Sequence, residues 1–208
     1  MKVKLLNIDS AKSETIEISD KILKHKINYK LIKSVVDWQL NHLKPRTAKT
    51  KQKNEIKGST KKIVPQKGSG GARHASRKAP IFVGGGVAHG PKGAVYKIKK
   101  INKKVRKLAL AHTLSKKNSD KNLFVLTDVK KEIKKTKEFN NFLKKNNLLN
   151  VIIISDLETL KNINKSARNI KDLKIINDAG ANIYDMMKYK NVLLTQSSVK
   201  NLEKRILN

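Results

Sequence analysis

Four runs of apolar residues in the second half of the chain predict buried strands. They are NLFVLTD at 122–128, NVIIISD at 150–156, LKIIND at 173–178 and NVLLTQ at 191–196. Segments with helical spacing separate these runs, and continuous apolar strands separated by helices are typical of a parallel sheet covered on both faces. The predicted fold class is therefore α/β, with a mostly parallel sheet flanked by helices.

The first 43 residues predict two strands and a helix of the same globular domain. KVKLLNI at 2–8 and ETIEI at 14–18 read as short strands at the edge of the sheet. From Asn28 to Leu43 apolar residues recur at three- and four-residue spacing, which predicts one apolar helical face, and we expect Trp38 beside it to belong to the core. The residues of this face are Leu31, Ile32, Val35, Val36, Leu40 and Leu43. We expect Pro45 to end the helix.

A second amphipathic helix is predicted at KINKKVRKLALAHTLS, residues 100–115, with a basic outer side. Its apolar face consists of Ile101, Val105, Leu108, Ala109 and His112, and its basic side of Lys103, Lys104, Arg106 and Lys107. Two helix starts are also predicted further on. Ser155 and Glu158 have capping-box spacing, and Ser197 or Ser198 is expected to cap a last helix that ends at Leu207.

No apolar periodicity extends through residues 44–97. Residues 65–96 hold eight of the ten glycines, three of the four prolines and neither Asp nor Glu. A stretch this long without regular structure is typical of functional loops or disordered segments. We therefore predict one globular α/β domain built from residues 1–43 and 98–208, and a long extended basic loop formed by residues 44–97.

Positive charge is concentrated in the middle of the chain. The sequence contains 42 Lys and 6 Arg, and its formal net charge is +32. Residues 42–107 contain 20 basic residues and a single acid, Glu55, as well as four of the six arginines. Such a charge opposes compaction unless a polyanion neutralises it, and guanidinium groups suit bidentate phosphate contacts. This distribution favours a nucleic acid as the partner.

The motifs of nucleotide-dependent enzymes do not fit the glycine-rich stretch. A P-loop needs Lys and then Ser or Thr directly after Gly90, where Pro91 and Lys92 stand, and GSGGAR has Arg73 in place of the third glycine of a dinucleotide fingerprint. The chain has no Cys, and no two of its five His lie within one helical turn. We expect neither catalysis nor a cofactor or metal, and no small-molecule substrate.

No apolar run suits a signal peptide or a membrane span, so we expect a soluble intracellular protein with no membrane partner.

Three ordered motifs carry a family resemblance. QKGSGGARHASRKAP, GGGVAHGPK and NKKVRKLALAHTLS, between two α/β pieces, resemble the bacterial ribosomal protein family four of the large subunit, and His89 is similar to its alphaproteobacterial variant. The resemblance implies a structural ribosomal protein of the cytoplasm that supports assembly of the large subunit. The implied partners are large-subunit rRNA, neighbouring large-subunit proteins, and the nascent peptide in the exit tunnel.

The resemblance also implies roles for individual residues. The tip of the loop, which would border the tunnel, corresponds to Gln66, Lys67, Gly68 and Gly70. The residues implied in rRNA binding, together with other cations of the loop, are Arg46, Lys49, Lys61, Lys62, Lys67, Arg73, Ser76, Arg77, Lys78, Gly84, Gly85, Gly86, His89, Gly90, Lys92, Lys103, Lys104 and Arg106. The glycines among them are expected to approach the sugar–phosphate backbone closely. Two alternatives remain open: a DNA-binding protein of the nucleoid type, and a phosphate-handling α/β enzyme.

Overall fold

The computed structural model describes residues 1–8, 14–44, 46–93 and 100–207. The strands of this described part are β1 Lys2–Leu6, β2 Glu14–Glu17, β3 Leu123–Leu126, β4 Val151–Ser155, β5 Leu173–Asn177 and β6 Asn191–Thr195. Its α-helices are α1 Asp20–Leu23, α2 Tyr29–Leu43, α3 Lys103–Ser119, α4 Thr136–Lys145, α5 Leu157–Ala167, α6 Ile183–Lys188 and α7 Gln196–Leu207. Short 3₁₀ turns lie at Lys53–Glu55 and Asp178–Gly180.

The strands form one sheet in the order β2-β1-β3-β6-β4-β5. Strand β2 pairs antiparallel with β1 at one edge, and every other pair of neighbours is parallel. The predicted α/β class, the mostly parallel sheet and the edge position of the N-terminal strands are therefore confirmed.

Helices cover both faces of this sheet, which explains the continuous apolar runs of its central strands at 123–126 in β3, 151–154 in β4 and 192–194 in β6. In β4 alternate residues enter two separate apolar clusters: Ile152 and Ile154 pack on one side, and Val151 and Ile153 on the other. The first cluster includes residues of α1, α2, α3, α6 and α7, and the second includes residues of α4 and α5. Since successive strand side chains point to opposite faces, both sets must be apolar for both faces to be buried.

The predicted helical faces are correct in part. Ile32 and Val35 of α2 are buried, but Leu43 is 70% exposed. In α3, Leu108 is exposed and Leu110 is buried, contrary to the predicted face, because residues 109–115 are buried on all sides of the helix and leave no single apolar stripe. The four-residue helix α1 was not predicted, since it is too short to show a periodicity. Pro45 and residues 94–97 of the predicted loop lie outside the described residues.

Both predicted N-caps are wrong. Ser155 is the last residue of β4 and is fully buried, and α5 begins after Asp156. Because Ser155 belongs to the strand, it cannot act as the N-cap of the predicted capping box. Ser197 and Ser198 lie inside the first turn of α7. The backbone N–H of Ser198 donates to Thr195 Oγ1 (3.3 Å), and that of Ser197 donates to Asp128 Oδ1 (3.1 Å). A threonine one position before the helix and a distant carboxylate therefore supply the caps. The predicted end of the last helix at Leu207 is correct.

The chain divides into two compact units, one of Met1–Asn41 with Lys100–Asn208 and one of His42–Lys99. The first unit contains the sheet and its helices. After the end of α2, the described residues of the second unit include the 3₁₀ turn Lys53–Glu55 and one isolated bridge between Lys49 and Lys92, with no strand or longer helix. We call residues 46–93, the fully described stretch of this second unit, the arm.

Candidate nucleic-acid interface

The arm is held together by backbone hydrogen bonds between its outgoing and returning segments. Two of these bonds form an antiparallel bridge between Lys49 and Lys92, and a third lies further along the two segments. These bonds run from Thr50 N to Pro91 O (2.9 Å), from Gly93 N to Ala48 O (2.8 Å) and from Val87 N to Lys51 O (2.9 Å). The arm therefore has internal order in a region where the sequence shows no apolar periodicity.

Two glycines of the GGGVAHG motif allow the arm to pack against itself. A Cβ on Gly85 would lie 2.0 Å from the carbonyl oxygen of Ala79, and a Cβ on Gly86 would lie 2.3 Å from the backbone nitrogen of Lys53. Neither backbone can make room for a side chain without a shift. Contacts within the arm thus explain why glycine occupies these two positions, and their close approach to RNA stays a prediction.

The residues predicted for the tip lie in an open turn. Gly68 and Gly70 have φ of 84° and 65°, and a Cβ at either position would meet nothing within 4 Å. Positive φ favours glycine, so a turn geometry and not crowding explains these two residues. Lys67 is exposed, and Gln66 accepts a hydrogen bond through Oε1 from Lys62 Nζ (2.6 Å).

Ser76 faces the interior of the arm. Its side chain is buried, and its hydroxyl donates to the carbonyl of Ser59 (3.2 Å) while accepting from the backbone N–H of Lys78 (3.2 Å). Close by in sequence, the rings of His74 and Phe82 pack in a T-shaped arrangement at a centroid distance of 5.0 Å. These contacts give Ser76 a structural role in the arm, and its predicted RNA contact remains a prediction.

The predicted cations of the arm are mostly exposed. Only Lys78 is half-buried, and the exposed ones are Arg46, Lys49, Lys61, Lys62, Lys67, Arg73, Arg77 and Lys92. Glu55, the one acid of the arm, pairs with Lys49 at 3.0 Å. The hydrogen bond from Lys49, followed by the backbone N–H of Gln52, holds the pKa of Glu55 below its usual value. The carboxylate is therefore ionised at neutral pH and offsets one lysine.

Five cations line one cavity of the arm. The cavity has a volume of about 550 Å³, and its cationic lining residues are Lys57, Lys61, Lys62, Arg77 and Lys78. No carboxylate lies among its lining residues, which also include the predicted Gly84, with φ of 81°. His89 has φ of 56° and is exposed. A concave surface with cations and no acid attracts an anion such as a phosphate.

The globular unit presents a second set of basic side chains on α3. Lys103 and Lys104, at the start of the helix, are exposed. Arg106 is half-buried, with its guanidinium carbon 5.1 Å from the ring centroid of Trp38. Trp38 packs at the edge of the core, in agreement with its predicted place.

Sequence reasoning missed several basic residues that the structure groups with the predicted ones. Lys57 lines the arm cavity, and Lys51 and Lys53 are exposed on the outgoing segment. Arg205 of α7 lines a cavity with Arg106, although the two lie 99 positions apart. The concentration of positive charge in the arm could have indicated these lysines from the sequence. Nothing local in the sequence connects Arg205 with α3.

Neither a metal cluster nor a membrane segment is present in the part of the chain that the structure describes. No three His, Cys, Asp or Glu side chains there are placed to hold an ion together. Likewise, none of its helices combines the length and apolarity needed to cross a membrane. The acids after β5 and on α6 have structural partners: Asp178 accepts from Asn201 Nδ2 (2.6 Å), and Asp185 forms an ion pair with Lys174.

Comparisons with known proteins agree on one family. The model of the ribosomal protein L4/L1 family matches residues 16–205. A protein of Pelagibacter ubique named large ribosomal subunit protein uL4 is 50% identical over 206 residues, which is 99% of each chain. Proteins of the same name from Rickettsia akari and Thermotoga petrophila are 37% and 38% identical; the matches cover 99% of this chain and 100% and 95% of theirs.

Proposed function

Because this chain belongs to the ribosomal protein L4/L1 family, we infer that it is a structural constituent of the large ribosomal subunit and not an enzyme. Its place is then the ribosome of the cytoplasm, and its partners are other components of that particle. The observation that carries this inference is the family match across residues 16–205, nearly the whole chain. The comparisons do not support the nucleoid DNA-binding alternative.

We further propose a division of work between residues 1–43 with 98–208 and residues 44–97. The first set forms the α/β domain, and the second binds large-subunit rRNA. Charge supports this division, since residues 44–97 carry 14 basic residues against one acid. The cations in the arm are mostly exposed, so they are available to phosphates, and counterion release would drive binding.

The proposed rRNA contacts fall into three groups. Exposed arm cations contact phosphates, the open backbone around Gly84 and His89 allows close approach, and the start of α3 adds a basic surface on the globular domain. The full set consists of Arg46, Lys49, Lys61, Lys62, Lys67, Arg73, Ser76, Arg77, Lys78, Gly84, Gly85, Gly86, His89, Gly90, Lys92, Lys103, Lys104 and Arg106. The arm cavity is the strongest support for the first group, because five cations line it without a carboxylate.

We propose that the turn at Gln66, Lys67, Gly68 and Gly70 borders the peptide exit tunnel and contacts the nascent peptide. The family resemblance of its motif supports this placement. So does its openness, since both glycines adopt turn conformations with no atom near a Cβ position. A photo-crosslinker at Gln66 should capture nascent chains on translating ribosomes, and one at Lys161 on α5 should not. Equal capture from both positions would argue against the tip assignment.

Matched triple substitutions test the rRNA role of the arm. The arm variant replaces Lys61, Lys62 and Arg77 by Gln, and the control replaces Lys144, Lys145 and Arg168, which are also two lysines and one arginine, all exposed. Each variant is expressed with a tag, and its share in purified large subunits is measured by mass spectrometry after sucrose-gradient sedimentation. We expect the parent and the control in large subunits and the arm variant depleted from them. Equal incorporation of both variants would contradict the arm's role, and absence of the parent from large subunits would contradict the ribosomal function itself.

A further inference from the structure

A cavity in the globular unit combines cations with an aromatic ring. It has a volume of about 380 Å³ and lies between α2, α3, α7 and the segment 179–183. Its cationic lining residues are Lys103, Arg106, Lys107 and Arg205, and Trp38 of α2 also lines it. The volume falls within the roughly 300–1,000 Å³ that is typical of sites for small organic groups. No carboxylate lies among the lining residues, so the charge of the cavity is uncompensated within its walls.

Arg106 has unused hydrogen-bonding capacity at this cavity. Its Nε is buried and has no hydrogen-bond partner among the residues that the structure describes. A buried charged donor without an acceptor is unfavourable, and such groups in proteins usually have a partner. The guanidinium lies 5.1 Å from the centroid of the Trp38 ring, so the residue is held beside the cavity by stacking. An acceptor supplied by a ligand would complete its bonding.

Hydrogen bonds hold the second arginine of the cavity, Arg205, in place. Its Nη1 donates to the carbonyls of Asp178 (2.9 Å) and Ala179 (3.1 Å), which anchors the guanidinium at the end of a long side chain. Helix α3 adds to the positive potential, since no acidic side chain lies in its first turn and its N-cap residue makes no side-chain capping bond. Two anchored guanidinium groups and the beginning of a 17-residue helix thus line the same cavity.

We propose that this cavity binds a single unpaired nucleotide of RNA, with the phosphate held by Arg106 and Arg205 and the base stacked against the Trp38–Arg106 pair. Unstacked RNA bases are typically bound on aromatic rings and guanidinium planes, and guanidinium groups suit phosphate oxygens. The proposal rests on the ribosomal function proposed above and adds a specific subsite to it. That subsite lies on the globular domain, apart from the phosphate contacts assigned to the arm.

The only tryptophan of the chain reports on this site directly. Full-length protein is titrated with AMP, with inorganic phosphate and with a single-stranded hexanucleotide, and the fluorescence of Trp38 is recorded. We expect saturable quenching by AMP, about tenfold weaker binding in Arg106→Gln, and unchanged binding in Arg168→Gln, a matched arginine on the surface at the end of α5. Arg205→Gln is the second test variant, and circular dichroism confirms that each variant is folded.

Each ligand in the titration tests a different part of the proposal. Tighter binding of the hexanucleotide than of AMP, with the same dependence on Arg106 and Arg205, supports RNA as the source of the nucleotide, and equal affinity would contradict it. Phosphate that competes as well as AMP would overturn the role of the base. Unchanged AMP affinity in folded Arg106→Gln and Arg205→Gln, or no saturable quenching, would overturn the site. Incorporation of the parent chain into large subunits separates this failure from failure of the ribosomal function, since the parent can enter particles even if the cavity binds no nucleotide.

Discussion

The two units of this protein achieve order by different physical means. All 33 buried apolar side chains of the described core lie in the globular unit, and none lies between residues 46 and 93. The arm instead relies on backbone hydrogen bonds, on glycines that permit close chain contact, and on turns with positive φ. The hydrophobic effect therefore stabilises one unit, while the other has cohesion without a core and a charge that resists compaction. A bound polyanion would neutralise this charge and so remove its opposition to compaction.

The largest contrast should come from removing core volume. Phe139 of α4 is fully buried and meets Phe142 at a ring-centroid distance of 6.1 Å. We expect Phe139→Ala to lower the free energy of unfolding by about 3–5 kcal/mol, because it removes buried apolar surface and leaves a cavity. Val83→Ala in the arm, where the side chain is fully exposed, is the control and should change stability by less than about 0.5 kcal/mol. Urea unfolding followed by circular dichroism measures both; similar losses for the two would contradict the contrast between the units.

The next largest difference between the two units should appear in the salt dependence of RNA affinity. If the arm neutralises six phosphates, log affinity against log salt should fall with a slope of about −4 for single-stranded RNA or −5 for duplex RNA. Replacing Lys61, Lys62 and Arg77 by Gln should make the slope shallower by about 2 to 3, since each lost phosphate contact removes about 0.7 to 0.9. Filter binding of an rRNA fragment over a range of salt measures this. A slope unaffected by the arm substitutions, yet made shallower by the same changes at Lys144, Lys145 and Arg168, would shift the RNA contacts to the globular unit.

A smaller effect is expected from one methyl group in the arm. In Gly86→Ala the new Cβ would lie 2.3 Å from the backbone nitrogen of Lys53, and crowding of this kind typically costs about 1–3 kcal/mol. Gly71→Ala is the matched control, because nothing lies within 4 Å of its Cβ position and its φ is not positive. We expect RNA affinity to fall about tenfold or more in Gly86→Ala only, with urea unfolding of the core unchanged in both. A loss that is equal in the two variants would show that the packing of Gly86 within the arm does not matter for binding.

The same contrast explains how far the sequence could predict the structure. Strand β4 was predictable because burial on both faces requires the continuous apolar run at 151–154, and β6 was predictable for the same reason from the run at 192–194. The cap of α7 was not, because one acceptor is Asp128, 69 residues before the N–H it receives. In the arm, composition indicated glycine and charge but not that Gly86 meets Lys53, since such contacts leave no periodic pattern. Local patterns reveal cores well, and they reveal long-range polar and backbone contacts poorly.

The smallest expected effect concerns pH and should be confined to the globular unit. His112 of α3 is 8% exposed, its Nδ1 has no partner in the described structure, and its ring lies 5.2 Å from that of His25. Burial, and secondarily the nearby His25, lower the pKa of His112, although a hydrogen bond with the backbone of Lys26 opposes this shift. The unfolded chain therefore binds a proton at higher pH than the folded one does. Stability should fall as the pH drops through about 6.5, the ordinary pKa of histidine, towards the lower folded value.

Substitution of His112 isolates this contribution from other titrating groups. Urea unfolding at pH 7.5, 6.5 and 5.5 should show a loss of stability in the parent chain that is reduced in His112→Gln and retained in His42→Gln, a control at an exposed histidine near the end of α2. The carboxylates Asp20 and Glu132 do not interfere, because hydrogen bonds from the N-terminal amine and from Lys165, respectively, lower their pKa below ordinary values that already lie beneath this pH range. An equal loss in His112→Gln and the parent would assign the pH sensitivity to another group. If the loss instead followed substitution of His74 or His89, it would arise in the arm, and the arm would then contribute to the stability that the core alone is expected to provide.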